Sequence, residues 1–414
     1  MTTSEPTKNL LPVLGSRREY FDYLDRWTVG TVEELRAHMT TRALVKAYLL
    51  ETSRSNGSRD AVTALQHTGQ RVEQVDEAFF RLSWTEDGGD WALAQLEDPR
   101  YPIIYTAVEA DVANRRIDQL VSRTPLLDRA WLAAALFQRL WKLVLEGYPS
   151  YRFSRIVFEH ESVYEAFQDE MLGAELAGDT DEPWDEEPPY DIERRRARMQ
   201  ITERLGRLKD ALIGMRQHYD PLESIVTLRI PAPRRGGHDV YFDGRFTNRG
   251  DSVVAFQQTI ETVKTIYGFA TTGVENLAWA EPADGSRQLR LGAPLLIRFS
   301  ERLETATFDR WISTLRRKNN RFRLWANPIT LGAGKVHLYA VDNHLWQPID
   351  IEITLDHMYA YLPPGTCGNT IHRLVTNIQR FVDPKPVVHL GDQPYDGLIE
   401  QAPTIANDGG SASG

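Results

Sequence analysis

The sequence predicts an α+β protein, with a mainly helical N-terminal domain followed by a C-terminal domain built on a mixed sheet. Three observations predict it. Apolar residues recur at helical spacing through the first third of the chain, period-two runs with interspersed helical stripes dominate after Glu223, and an acidic stretch rich in Pro and Gly separates the two regions.

Thr31 followed by Glu34 carries a capping box, with Val32, Leu35, Met39 and Val45 as apolar positions behind it. Residues 58–82 place Val62, Leu65, Val72, Val75, Phe79 and Leu82 near helical spacing. Thr124 is set to cap a further helix with Pro125 at its first position, and Leu127, Trp131, Leu136, Leu140, Leu143 and Val144 fill its core side. A short strand, Arg155 to Phe158, closes a mainly helical domain expected to span 1–177. Residues 178–190 lie within GAELAGDTDEPWDEEPPY, which has no apolar period and reads as an acidic Pro-rich linker or loop.

The expected second domain spans 191–391. Ile201, Leu205, Leu208, Leu212 and Met215 form one apolar stripe, which predicts a long helix over 191–217 that is buried in its own fold in preference to forming a coiled-coil seam. Ser224 to Ile230 and Asp239 to Phe242 then read as strands around Gly236-Gly237, and Val253, Phe256, Ile260, Val263 and Tyr267 as a helix stripe. Residues 287–299 read as two strands, the first fed by an Asp284-Gly285 hairpin signal, before a helix around Phe308, Trp311, Ile312 and Leu315. Strands follow near 321–326, 335–341, 349–355 and 357–362, then a helix over 370–382 and an edge strand at Pro386 to Leu390. The tail, 392–414, is expected to be disordered.

Composition narrows the function classes. The 414 residues carry 58 acidic and 48 basic side chains, a net charge of −10, and the 42% apolar fraction excludes wholesale disorder and fibrous repeats. One cysteine excludes a disulfide scaffold, and residues 1–16 lack a basic, apolar leader, so a cytoplasmic location is expected. The most apolar stretch, Leu126 to Leu145, is interrupted by Asp128, Arg129, Arg139 and Lys142. Each would cost roughly 3 kcal/mol at a bilayer centre, which argues against a membrane partner. Positive charge comes from 40 arginines against 8 lysines, which favours forked contacts with carboxylate or phosphate.

The clearest chemical feature is HMYAYLPPGTCGNTIH at 357–372. A strand running into a Gly-rich turn and a helix start offers backbone N–H groups to an anion, so Gly365, Cys367, Gly368, Asn369 and Thr370 are the candidate anion or ligand site. The same setting would activate Cys367 as a nucleophile, with His372 or His357 as base. The plainer reading is a capped strand-turn-helix junction enclosing a small buried thiol. His337, His344, His357, His372 and His389, near Asp342, Asp350, Glu352 and Asp356, lack the spacing of a zinc motif, so neither a metal nor a cofactor is assigned. Glu159-His160-Glu161 reads as a rim salt-bridge cluster. Gly332-Ala333-Gly334-Lys335 fails as a phosphate loop, because Ile329 and Val336 stand where Gly and Ser or Thr are needed.

Two basic clusters remain. Arg194, Arg195, Arg196 and Arg198 follow the acidic stretch and are neutralised by it. Arg316, Arg317, Lys318, Arg321 and Arg323, interleaved with Phe322 and Trp325, suit phosphate contact with aromatic stacking, or else a helix C-terminus beside a core strand. With catalytic signatures missing, the expected function is that of a cytoplasmic, non-enzymatic interaction or regulatory protein that binds a protein partner and an anionic ligand. The alternatives are nucleic-acid binding through Arg316 to Trp325, and an enzyme centred on Cys367.

Overall fold

Ser16 starts the first helix by accepting the Glu19 N–H on its hydroxyl, and α1 runs Arg17–Arg36. Then come β1 (Lys46–Glu51), α2 (Ser58–His67), β2 (Arg71–Asp76), β3 (Phe79–Ser83), β4 (Trp91–Gln95), β5 (Ile103–Thr106), α3 (Ala110–Arg123), β6 (Asp128–Arg129) and α4 (Ala134–Gly147). Next are β7 (Phe153–Glu161), β8 (Arg196–Arg204), α5 (Leu205–Arg216), β9 (Ile225–Pro231), β10 (Gly237–Tyr241), β11 (Arg245–Asn248) and α6 (Val253–Ala278). The chain ends with β12 (Glu281–Pro282), β13 (Leu289–Arg290), β14 (Leu295–Arg298), α7 (Thr305–Leu315), β15 (Leu324–Gly332), β16 (Lys335–Asp342), β17 (Gln347–Thr354), β18 (His357–Tyr361), α8 (Asn369–Phe381), β19 (Val387–Leu390), β20 (Gln393–Pro394) and α9 (Tyr395–Glu400). The fold is α+β. This computed structural model describes residues 11–38, 42–53, 58–67, 70–85, 89–161, 196–216, 218–278, 281–282, 289–290, 292–317, 320–363 and 365–403.

The chain divides into two units, Met1–Ala130 with Arg229–Thr265, and Trp131–Leu228 with Ile266–Gly414. This corrects the consecutive division at 177 and 191, because β11, late in the sequence, returns to pair with β1 and carries β10 on its other side. The acidic stretch at 178–190 lies outside the described residues.

In unit 1 the strand order is β2-β3-β4-β5-β1-β11-β10, antiparallel throughout. Side chains alternate between its faces. Tyr48, Leu50, Ile104, Ala94 and Leu82 join Ala61 and Leu65 of α2 and Ile117 and Leu120 of α3 in one core. On the opposite face Phe79, Tyr105 and Trp91 meet aromatic side chains of α1, with Phe21 edge-on to Tyr105 at 5.4 Å. Buried on both faces, these strands carry no clean alternation. The N-terminal region is richer in strand than expected: over 58–82, read as helical, only Ser58–His67 is helix, and β2, exposed or half-buried along its length, and β3 follow.

Two caps move for local reasons. Thr31 sits inside α1, where its buried hydroxyl donates to the Trp27 carbonyl, a bond open to Thr within a helix. Thr124 ends α3 instead of starting a helix, since Asp128 and Arg129 pair with β1 and α4 begins only at Ala134.

In unit 2, β9 through Leu228 pairs with β7, and β7 pairs with β8 along its whole length. The expected 191–217 helix is therefore corrected: among the described residues Arg196–Arg204 is strand, and the helix is Leu205–Arg216, burying Leu205, Leu208 and Leu212. The second sheet runs β15-β16-β17-β18-β14-β19-β20. Its pairings are antiparallel, narrower than the mixed sheet expected. Val388 and Leu390 keep β19 inside the sheet instead of at its edge. The tail expected to be disordered continues as β20 and α9, held by the buried Tyr395; the Asp284-Gly285 signal and residues 404–414 lie outside the described residues. Among the described residues no helix is long and apolar enough to cross a membrane.

One buried base in unit 1 sets an acid limit on stability. His238 is fully buried, bonds Thr259 Oγ1 through Nδ1 at 2.7 Å, and burial holds its imidazole down to about 4 against the weaker pull of Asp239 and Asp251. Below the ordinary histidine range near 6.5 the unfolded chain takes up this proton and the folded chain does not. Urea melts should lose about 3 kcal/mol of stability between pH 6.5 and 4 from this group, and His238→Gln should flatten that part of the profile.

Candidate functional site

A buried ion pair organises unit 2. Asp342 closes β16 and accepts the Arg373 Nη2–H at 2.5 Å, the Thr370 hydroxyl, and the His344 N–H at 2.9 Å. Arg373, fully buried on α8, also donates its Nε–H to the Phe322 carbonyl at 2.8 Å. One carboxylate thus ties the start of α8 and the end of β16 to the β16–β17 turn, and Arg373 extends the tie to the lead-in of β15.

The segments it ties are strained. Arg323, Leu345 and Trp346 have φ of +53°, +65° and +53°, and the Arg323 carbonyl accepts the Asn343 N–H at 2.9 Å. Side chains beyond Gly cost of order 1–3 kcal/mol each in this region and persist only where their surroundings over-determine them. The product is a four-residue turn that presents Trp346 with 52% of its surface exposed.

Beside that turn the sheet shows an apolar outer face. The alternation that buries Leu324, Ala326, Leu338, Ala340, Ile349, Ile351, Met358 and Ala360 turns Trp325, Ile329, Tyr339, Asp350, Glu352, Tyr359 and Tyr361 the other way. Register sets them in rows, Trp325–Val341–Pro348, Asn327–Tyr339–Asp350–Tyr361 and Ile329–His337–Glu352–Tyr359. Trp325, Leu331, Tyr339 and Tyr361 are each more than half exposed. The charges among them are paired locally, Lys335 to Glu352 at 2.9 Å and His337 to Asp350 at 3.6 Å.

The residues singled out from sequence fall elsewhere. Gly365 is exposed at φ +86°, in a turn where a left-handed backbone needs Gly, while Cys367, Gly368, Asn369 and Thr370 are buried. Their polar groups meet the protein's own side chains. The Gly368 N–H donates to Glu275 Oε1 at 3.0 Å, Asn369 Oδ1 accepts the Tyr267 hydroxyl at 2.7 Å, and Thr370 bonds Asp342. The carboxylate that a helix start attracts is here the buried Glu275. Its oxygen lies within 4.8 Å of the Cys367 sulfur, where a reactive thiolate needs a cation. His372 is fully buried with Nδ1 2.6 Å from the Tyr395 hydroxyl. His357 bonds Thr354 and belongs to the outer face, opposite the side on which α8 reaches Asp342.

Of the basic cluster, Arg316 is exposed at the end of α7, Arg321 lies 5.1 Å over the Phe381 ring, and Arg317 and Arg323 are part-buried. Phe322 is core, 5.9 Å from Trp311, leaving Trp325 as the exposed aromatic; Lys318, Arg194 and Arg195 lie outside the described residues. Sequence reasoning missed Asp342 with Arg373, and the outer face. The available signal was the apolar residues on both parities of β15 and β16.

A family model described as MJECL33-like protein matches residues 12–179 and 235–396, most of the chain. The chain belongs to this family. It is 20% identical over 411 residues to the uncharacterized protein MJECL33 of Methanocaldococcus jannaschii, covering 92% of this chain and 95% of the relative. No solved structure matches. Every residue of the Asp342–Arg373 cluster and of the outer face falls inside the second matched segment.

Asp342→Ala should lower unfolding stability by about 3–5 kcal/mol, since Arg373 would stay buried without its carboxylate, and Asp342→Leu with Arg373→Met should recover part of the loss; denaturant melts read both. The Cys367 thiol should react with an aromatic disulfide reagent only after denaturant is added, which rate measurements on folded and unfolded protein check directly.

Proposed function

We propose that this MJECL33-like chain is a non-enzymatic interaction protein that docks a protein partner on the outer face of β15–β18. The observation that carries the reading is the exposure of Trp325, Ile329, Tyr339 and Tyr361 on one face of the meander, with Leu331 and Trp346 exposed toward the ends of its strands. Tryptophan and tyrosine exposed on a pre-organised surface are the usual anchors of interface centres, where charge is depleted. The local pairing of Lys335 with Glu352 cancels one of the carboxylates on the face and leaves its aromatic area dominant, which suits a protein surface. A polyanion would meet Asp350 and Glu352 near the middle of the same face. A regulatory role and a cytoplasmic setting belong to the same reading, and a chain whose one cysteine is the buried Cys367 suits a reducing compartment.

The exposed Arg316 and the exposed Trp325, nine positions apart in sequence, favour a second reading, nucleic-acid contact, whose affinity would fall steeply with salt. The two separate by mutation. With a partner captured at physiological salt and then purified, Trp346→Ala and Tyr339→Ala should each weaken binding about tenfold or more, while Arg316→Glu leaves it unchanged. Loss with Arg316→Glu and with salt would favour nucleic acid, and full binding by both face variants would contradict the protein-docking reading.

A further inference from the structure

Unit 1 carries two cations, Lys46 and Arg245, that no carboxylate reaches at ion-pair distance among the described residues. Lys46, on β1, is 5% exposed, and its ammonium donates to the Leu44 carbonyl at 2.9 Å and the Val108 carbonyl at 2.7 Å, two of its three N–H groups. Arg245 begins β11, its guanidinium 3.9 Å over the Tyr241 ring, with a buried Nε that meets no acceptor among the described residues. The neighbouring acids bind other cations, although Asp243, whose buried Oδ1 meets no donor among the described residues, also feels the Arg245 charge. Asp239 holds both Arg229 and Arg249, and Arg129 bridges Asp118 and Asp243. No carboxylate pairs with Lys46 or Arg245 among the described residues.

Sheet register brings the two together. Lys46 pairs with Thr247 and Tyr48 with Arg245, so Lys46 and Arg245 are diagonal neighbours on one face, roughly 7–8 Å apart at the backbone. Local devices aim them. Gly244, at φ +71°, makes the turn before Arg245; a side chain there would sit 2.7 Å from the Leu49 and Ala130 carbonyls. Asp243 in that turn is held by Arg129, and the Tyr48 hydroxyl is fixed by donating to Asn114 Oδ1 at 2.8 Å. Arg245 and Arg249 are partly exposed and open the site to solvent, above the buried Lys46 and Tyr48.

A buried ammonium beside a guanidinium is unfavourable without an anion. Burial holds the Lys46 amine down to about 8, with Glu109 opposing and Arg245 and Arg249 adding to the effect. We infer that Lys46 and Arg245 form the floor and wall of a binding site for a phosphate dianion, with Arg249 at the rim and the Thr247 hydroxyl between them. Two cations without a direct ion pair suit the dianion of a phosphate monoester near neutral pH, and the flat guanidinium held on Tyr241 leaves its terminal N–H groups for forked contact with phosphate oxygens. This site is independent of the docking face in unit 2.

The test is calorimetric titration of the full chain with inorganic phosphate and with a nucleoside 5′-monophosphate, at constant ionic strength, with succinate as a carboxylate dianion of similar charge. Lys46→Met and Arg245→Gln should each weaken phosphate binding about tenfold or more. Arg71→Ala, at the far edge of the same sheet, should leave it unchanged. Arg245 is part-exposed, so its variant keeps the test valid if Lys46→Met fails to fold. The proposal is overturned if phosphate and the monophosphate do not bind, if both variants bind as the natural chain does, or if succinate binds as well as phosphate.

Discussion

The second unit depends on one buried carboxylate. Asp342 is reached by a guanidinium and a hydroxyl from α8 and by a backbone N–H from the β16–β17 turn, and each would lose its carboxylate partner in a dry interior if Asp342 were removed. A pair of this kind adds little stability over a well-packed apolar substitute, and its use is to specify one arrangement. Here that arrangement includes a turn with two consecutive left-handed residues, Leu345 and Trp346, which the chain would otherwise relax. The exposed aromatic face is therefore built from the inside.

The same logic explains what became of the Gly365 to Thr370 turn. Its free N–H and hydroxyl groups do attract negative charge, as their chemistry demands, but the charge comes from Glu275 and Asp342 within the fold. Gly368 is small because the Thr271 carbonyl would lie 2.8 Å from any Cβ there. A motif that reads as a waiting ligand site can equally be the half of an internal contact whose other half lies a hundred residues away in sequence. In unit 1 the reverse holds, since Lys46 and Arg245 sit in strands of ordinary appearance and their shortage of partners emerges only from register.

Legibility in the sequence followed this division between local and distant causes. Elements after Glu223 were readable because their alternation is clean: Val336, Leu338 and Ala340 face in while His337 and Tyr339 face out. Strands β1, β4 and β5, buried on both faces, carry no such period and gave no strand signal in the sequence, while β2 and β3 were covered by the helical spacing read over 58–82. The stripe through Ile201 and Leu205 crossed a strand-to-helix junction, because pairing with β7 claims the first part and packing claims the second. The interleaving of the two units rests on β11 pairing with β1, a contact between residues about two hundred positions apart that local pattern does not encode.

Hydrogen–deuterium exchange on Asp342→Asn tests most directly whether the buried pair holds the displayed turn. The account predicts faster exchange confined to the amides of Asn343 and His344 and the segment through Trp346, with the β17–β18 pairing as protected as in the natural chain. Unchanged protection across 342–347 would contradict it and would detach the aromatic face from the interaction on which this account rests.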